Sequence, residues 1–327
     1  LSNQDEPPQA ADPNRSYGST YPPVPPRSRR AGHVVGIVAG LLLPPVFLVL
    51  VALGWSELTG GAGLLGLAYL LLGVAVLAGL AAVAALGSSL ALVVGGLVWG
   101  VAGHLGRDAV GPALTDATSG VPATLGVALT GPLYFAPVAV LGVTMVAGGM
   151  AVHLARRAGR RQERVEARQT RGTQVGEAPV PPGSRRWAHV LGTVLALVAT
   201  VVALLVLARD AGAGGPGWTV PVLVGASVLL AAAALVGAVS SLGPQVAGWG
   251  LLVAPAMAAL WFTRPGSPEV LAPVVETLFR LTGGPLLTVT GTLLLLGLTL
   301  AIGGAAAHWA RRAGRRYERV DLALTAR

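Results

Sequence analysis

The residues best suited to chemistry lie in a phrase written twice, HLARRAGRR at 153–161 and HWARRAGRR at 308–316. Each copy supplies one imidazole and four guanidinium groups. Imidazoles ligate haem and metals, but a pair on one helix face needs H-x-x-x-H spacing, which neither copy has. His33 and His189 precede apolar runs just as His153 and His308 follow them. All four therefore stand at the ends of apolar segments. Hydrogen bonding at helix ends is their expected role, with no cofactor and no metal. Arginine offers planar, permanently charged donors that suit phosphate and carboxylate groups. Arg156, Arg157, Arg160 and Arg161 in the first copy, and Arg311, Arg312, Arg315 and Arg316 in the second, are candidate contacts for anionic lipid. Such contacts contribute roughly 1 kcal/mol per basic residue near a charged surface. The plainer role of the same residues is to anchor helix ends at the cytoplasmic face of a membrane.

A set of apolar helices must position these groups. The chain has 327 residues, 53% hydrophobic and 11% charged, with mean hydropathy +0.69. A soluble domain carries about 25% charged residues. The net charge of +9 therefore points to basic flanks of membrane helices, and nucleic acid is not an expected partner. There is no cysteine, which excludes disulfides and thiolate chemistry. All 23 basic residues are arginine. This composition, rich also in Ala and Gly, resembles hydrophobic membrane proteins of high-GC bacteria and so implies a bacterial plasma membrane.

The phrase is one part of a longer repetition. PVPPRSRRAGHV (23–34) matches PVPPGSRRWAHV (179–190), GSSL (87–90) is echoed by VSSL (239–242), and LTGPL (129–133) by LTGGPL (281–286). Order is kept and the offset stays between 152 and 156, as a tandem duplication requires. Each copy has room for four apolar spans of about twenty residues, the length of a transmembrane helix. They fall near 32–54, 62–86, 88–105 and 131–152, then near 187–208, 218–239, 243–262 and 285–307. The expected fold is an all-α integral membrane protein with eight transmembrane helices as two tandem parallel four-helix repeats. A disordered Pro-rich tail covers 1–31, the first repeat 32–168, a linker 169–184 and the second repeat 185–327.

Orientation follows from the arginines. With both termini in the cytoplasm, 19 of 23 fall inside, and the net charges are +11 inside and −2 outside. Each repeat then begins and ends inside, and the expected symmetry axis is the membrane normal.

None of the eight spans contains Asp, Glu, Lys or Arg. Intramembrane charges cost about 2.5–3.5 kcal/mol on insertion scales and mark proton relays or catalytic groups. Their absence disfavours a proton-coupled pump and an intramembrane hydrolase. A non-enzymatic accessory or scaffold unit is the leading expectation, partnered by the lipid bilayer, anionic lipids and another membrane protein. The alternative is a transporter or channel for an apolar or lipid-like solute. Its cavity would lie between the repeats, near Pro44 and Pro45 in the first span. Those prolines free the carbonyls of Gly40 and Leu41, which makes the four residues candidates for a kink or cavity. Gly96 and Gly100, like Gly36 and Gly40, have the spacing of close helix contacts. Trp55, Trp187, Trp218, Trp261 and Trp309 are expected in an interfacial belt, and Trp99 and Trp249 against neighbouring helices. The segment 267–284 reads as a helix on the outer surface.

Overall fold

The computed structural model describes residues 29–105, 138–174, 186–211, 219–263, 273 and 291–325. The tail over 1–28, residues 175–185 of the linker, Thr288, Thr290, and the segment 267–284 apart from residue 273 lie outside the described residues. The described residues contain eight long helices and no strand. These are α1 (Arg29–Thr59), α2 (Gly63–Ala82), α3 (Leu90–Leu105), α4 (Val138–Gln174), α5 (Arg186–Ala211), α6 (Val220–Leu235), α7 (Leu242–Thr263) and α8 (Thr292–Thr325). A π turn, Val83–Gly87, extends α2, and a 3-10 turn, Val236–Ala238, extends α6.

Uniformly apolar Leu/Ala/Val/Gly runs satisfy their backbone only as helices once water is excluded. Six segments are long and apolar enough to cross a membrane: Arg30–Leu58, Gly63–Gly87, Val138–Thr170, Arg186–Arg209, Val220–Ala238 and Thr292–Leu324. In α3 the apolar part, Leu90–Val101, is shorter. The outward faces are as hydrophobic as the core. Val34, Val35, Val38 and Leu42 on α1 are exposed, as are Val190, Leu191, Val194 and Val198 on α5. Contiguous apolar surface on this scale is what a hydrocarbon solvent requires.

α4 and α8 form the centre. Their apolar stretches are 67% buried, against 33% for α1, α2 and α5. α1 packs on both α2 and α3, and α5 on both α6 and α7. The neighbours α2 and α3 make few contacts with each other, as do α6 and α7. α4 packs against α3 and also reaches across to α6, while α8 packs against α7 and reaches across to the π turn and α2.

Small residues set the crossings. A Cβ on Gly142 of α4 would lie 2.5 Å from the Cα of Gly100 and from the carbonyl oxygen of Gly96 in α3. The Gly96–Gly100 spacing therefore marks a real backbone contact. Gly248 of α7 lies equally tight against Gly297 and Ala301 of α8. Consequently Trp249, one residue round the helix, points outward and is 61% exposed, not packed against a neighbour as the sequence led us to expect. Trp187 is exposed near the start of α5 and Trp309 is exposed midway along α8, but Trp55 is buried, beside Gly291.

Candidate functional site: an arginine-braced helix crossing

The repeated basic phrases lie on α4 and α8, which run well past their apolar portions, to Gln174 and Thr325. The two extensions cross at a pair of glycines. A Cβ on Gly159 would collide with the carbonyl oxygen of Arg311, and one on Gly314 with that of Arg156. The contact is reciprocal, as in an isologous interface. Glycine thus stands where the backbones touch, and the arginines beside it are displayed around the crossing.

Two arginines turn inward as braces. Arg156 donates to the carbonyl oxygens of Ala84 (2.6 Å), Ala85 (2.7 Å) and Gly87 (3.2 Å). These oxygens belong to the π turn ending α2. Helix C-termini leave carbonyls without intrahelical partners and carry partial negative charge, so a guanidinium there is doubly suited. Arg311 does the same for the end of α6, donating to Ala238 (2.5 Å) and Val239 (3.2 Å). Tyr317 of α8 donates to Leu86 (3.0 Å) and so ties the second half to the π turn of the first. Both turns are also held from the side: His33 Nδ1 lies 2.8 Å from Ser88 Oγ, and His189 Nδ1 lies 2.9 Å from Ser240 Oγ. These are the helix-end hydrogen bonds expected for two of the four histidines. His153 and His308 are exposed.

Other arginines join the extensions through carboxylates. Glu163 accepts from Arg315 Nε (2.9 Å) and Arg319 Nε (2.5 Å), and Glu166 from Arg315 Nη2 (2.5 Å). Arg164 donates to Glu318 through both Nε and Nη2. Every one of these pairs runs between α4 and α8. Glu163 lies about two turns beyond Ala155, where the uncharged stretch of α4 ends, in its arginine-rich extension. Burial pushes its carboxyl up, but the hydrogen-bonded guanidiniums of Arg319 and Arg315 outweigh that and hold it below its ordinary value. Sequence reasoning weighed the arginines and passed over Gly159, Gly314, Glu163 and Glu318. The signal was present in the repeated AG (158–159 and 313–314) and in the ERV that follows each phrase (163–165 and 318–320).

The arginines proposed for lipid contact therefore divide. Arg156 and Arg311 cap helices, and Arg315 bridges two carboxylates. Arg157, Arg160, Arg161, Arg312 and Arg316 make no hydrogen bond or ion pair among the described residues.

The proline site is closed by a partner helix. α1 continues through Pro44 and Pro45. The carbonyl of Leu41, which Pro45 cannot engage, accepts a hydrogen bond from Trp99 Nε1 of α3 at 2.9 Å. Gly40 faces Ala91 and Gly95 at another tight crossing. The cavity beside Pro44 measures only about 10 Å³, room for about one water. Thr144 and its counterpart Thr299 bond to carbonyls of their own helices, Val140 and Leu295, as intramembrane threonines commonly do. We expect W99F, which keeps the ring and removes the donor, to cost about 1 kcal/mol, read as a lower thermal midpoint in detergent. An unchanged midpoint would show that the carbonyl needs no partner.

Apolar outward faces, glycine-set crossings and basic helix extensions are the build of a multi-pass helical membrane protein. The sequence matches no family model, no curated protein and no solved structure.

Proposed function

We propose that this chain is a non-enzymatic membrane scaffold, built as eight spans in two tandem parallel four-helix repeats. Both termini lie in the cytoplasm of a bacterial cell, and the spans cross its plasma membrane. The observation that carries this reading is the matched pair of basic extensions, each capping its own half and ion-paired to the other. The contacts of His33, Arg156 and Gly159 recur at His189, Arg311 and Gly314, at the offsets of the sequence repetition. A lattice of this kind joins two bundles into one rigid unit. Among the described residues, the pocket between the halves lined by Leu77, Leu92, Thr144, Ala234 and Thr299 measures only about 10 Å³, which supports a scaffold over a carrier.

The absence of cysteine makes the topology testable without background labelling. Single cysteines at residues 172 and 324 should react with an impermeant maleimide only after the inner face is opened. A cysteine at residue 60 should react in intact cells. Labelling of residue 172 from outside would overturn the orientation. Native mass spectrometry of protein released gently from its own membrane tests the role itself. A second polypeptide at fixed stoichiometry is the expected result; an apolar solute held between the halves would make the chain a carrier instead.

A further inference from the structure

The two halves are not equivalent at the cytoplasmic face. Among the described residues, Glu163 takes two arginines from α8, Arg315 and Arg319, whereas Glu318 accepts only Arg164 from α4. Arg315 is thus committed to carboxylates, and its counterpart Arg160 is not. Arg160 instead lines a recess of about 660 Å³ together with Arg157, Arg161, His33, Ser88 and Ser89. The volume is in the range of small-molecule sites. No carboxylate lines the recess among the described residues.

Arg157, Arg160, Arg161 and Arg164 recur at the three- and four-residue spacing that puts side chains on one face of a helix, here α4. Like charges at that spacing repel unless an anion lies between them. The recess also receives the N-terminal end of α3, which begins at Leu90 and adds partial positive charge, although its first amides already donate to Ser88 and Ser89. Arg157 and Arg161 have no protein partner among the described residues, so their donors are available. Planar guanidiniums in this number match the tetrahedral oxygens of phosphate better than a single carboxylate.

We propose that this recess, on the first half only, is a binding site for a phosphate-bearing anion presented by a lipid headgroup. The inference rests on the membrane-spanning reading, because the recess lies where the apolar parts of α1, α3 and α4 end and lipid headgroups begin. A free phosphate compound has the same chemistry and is distinguished below.

The test uses the full chain in nonionic detergent, titrated with cardiolipin, with phosphatidylcholine, and separately with inorganic pyrophosphate. Occupancy is read by native mass spectrometry. One cardiolipin per chain is expected, in preference to phosphatidylcholine. R157Q/R161Q should weaken it about 30-fold, from roughly fivefold per arginine. R312Q/R316Q removes the counterpart charges from α8 and should change affinity less than about threefold. If R157Q/R161Q lowers the thermal midpoint, R157Q alone gives the same comparison at about fivefold. Stoichiometric pyrophosphate with the same dependence on Arg157 and Arg161, and no cardiolipin, would keep the site and assign it a soluble phosphate. Equal losses for both double variants would overturn the proposal in favour of diffuse attraction, and so would no stoichiometric binding of either phosphate probe. The membrane reading fails by a different result: release of the chain from membranes by alkaline carbonate.

Discussion

Leucine at Gly159 should uncouple the two halves. The substituted side chain would enter the space occupied by the carbonyl oxygen of Arg311. Backbone cannot yield as a flexible side chain can, so α8 must move away from α4. Overpacking commonly costs about 1–3 kcal/mol, and the upper end applies here because the obstacle is main chain. Movement of α8 also withdraws Arg311 from Ala238 and Val239 and Arg315 from Glu163, so further hydrogen bonds are lost with the crossing. We expect a lower thermal midpoint in detergent for G159L, a smaller fall for G159A, and the same order at Gly314. Gly148, on the same helix, has open space where a Cβ would stand. G148A should therefore be neutral or slightly stabilising through helix propensity, by up to about 1 kcal/mol. Equal effects at Gly148 and Gly159 would mean that the crossing is not what holds the halves together.

Removal of the Glu163 charge is expected to have the second largest effect. E163Q leaves Arg315 and Arg319 without the carboxylate that separates them. Breaking a fully buried pair costs roughly 3–5 kcal/mol, and an exposed one under about 1. Glu163 is buried but Arg319 is 61% exposed, so about 2 kcal/mol is the expected loss. The pH dependence has a definite sign. A carboxyl whose folded pKa is depressed stabilises the fold above its unfolded value and loses that contribution as pH falls through the folded one. The parent and E163Q should therefore differ fully at neutral pH and converge at acid pH, below the ordinary value of 4.5. A constant difference across that range would exclude ionisation of Glu163 as the cause.

Much of the architecture was legible because hydrocarbon-length apolar runs leave little choice of structure. The described helices begin or end within a few residues of the sequence boundaries for α1, α2, α3, α5, α6 and α7. The extensions of α4 and α8 were not read as helices, since Arg-rich polar sequence carries no membrane signal. They are held by ion pairs between residues some 150 positions apart. The prolines illustrate the same limit. Their free carbonyls were inferred from spacing, but a cavity and a hydrogen-bonded seam require the same freed oxygen. Only the position of Trp99 on α3 decides between them.

The sequence by itself determined the solvent, the helical class and which residues are repeated, because hydrophobicity, charge and similarity are local and additive along a chain. The tertiary structure decided what each copied arginine does. Arg156 and Arg311 became helix caps, Arg315 a bridge, and its twin Arg160 the lining of a recess. Identical residues in repeated phrases acquire different partners when two helices cross. A guanidinium's role is set by the carboxylates and carbonyls within about 3 Å of it, and these come from the other helix.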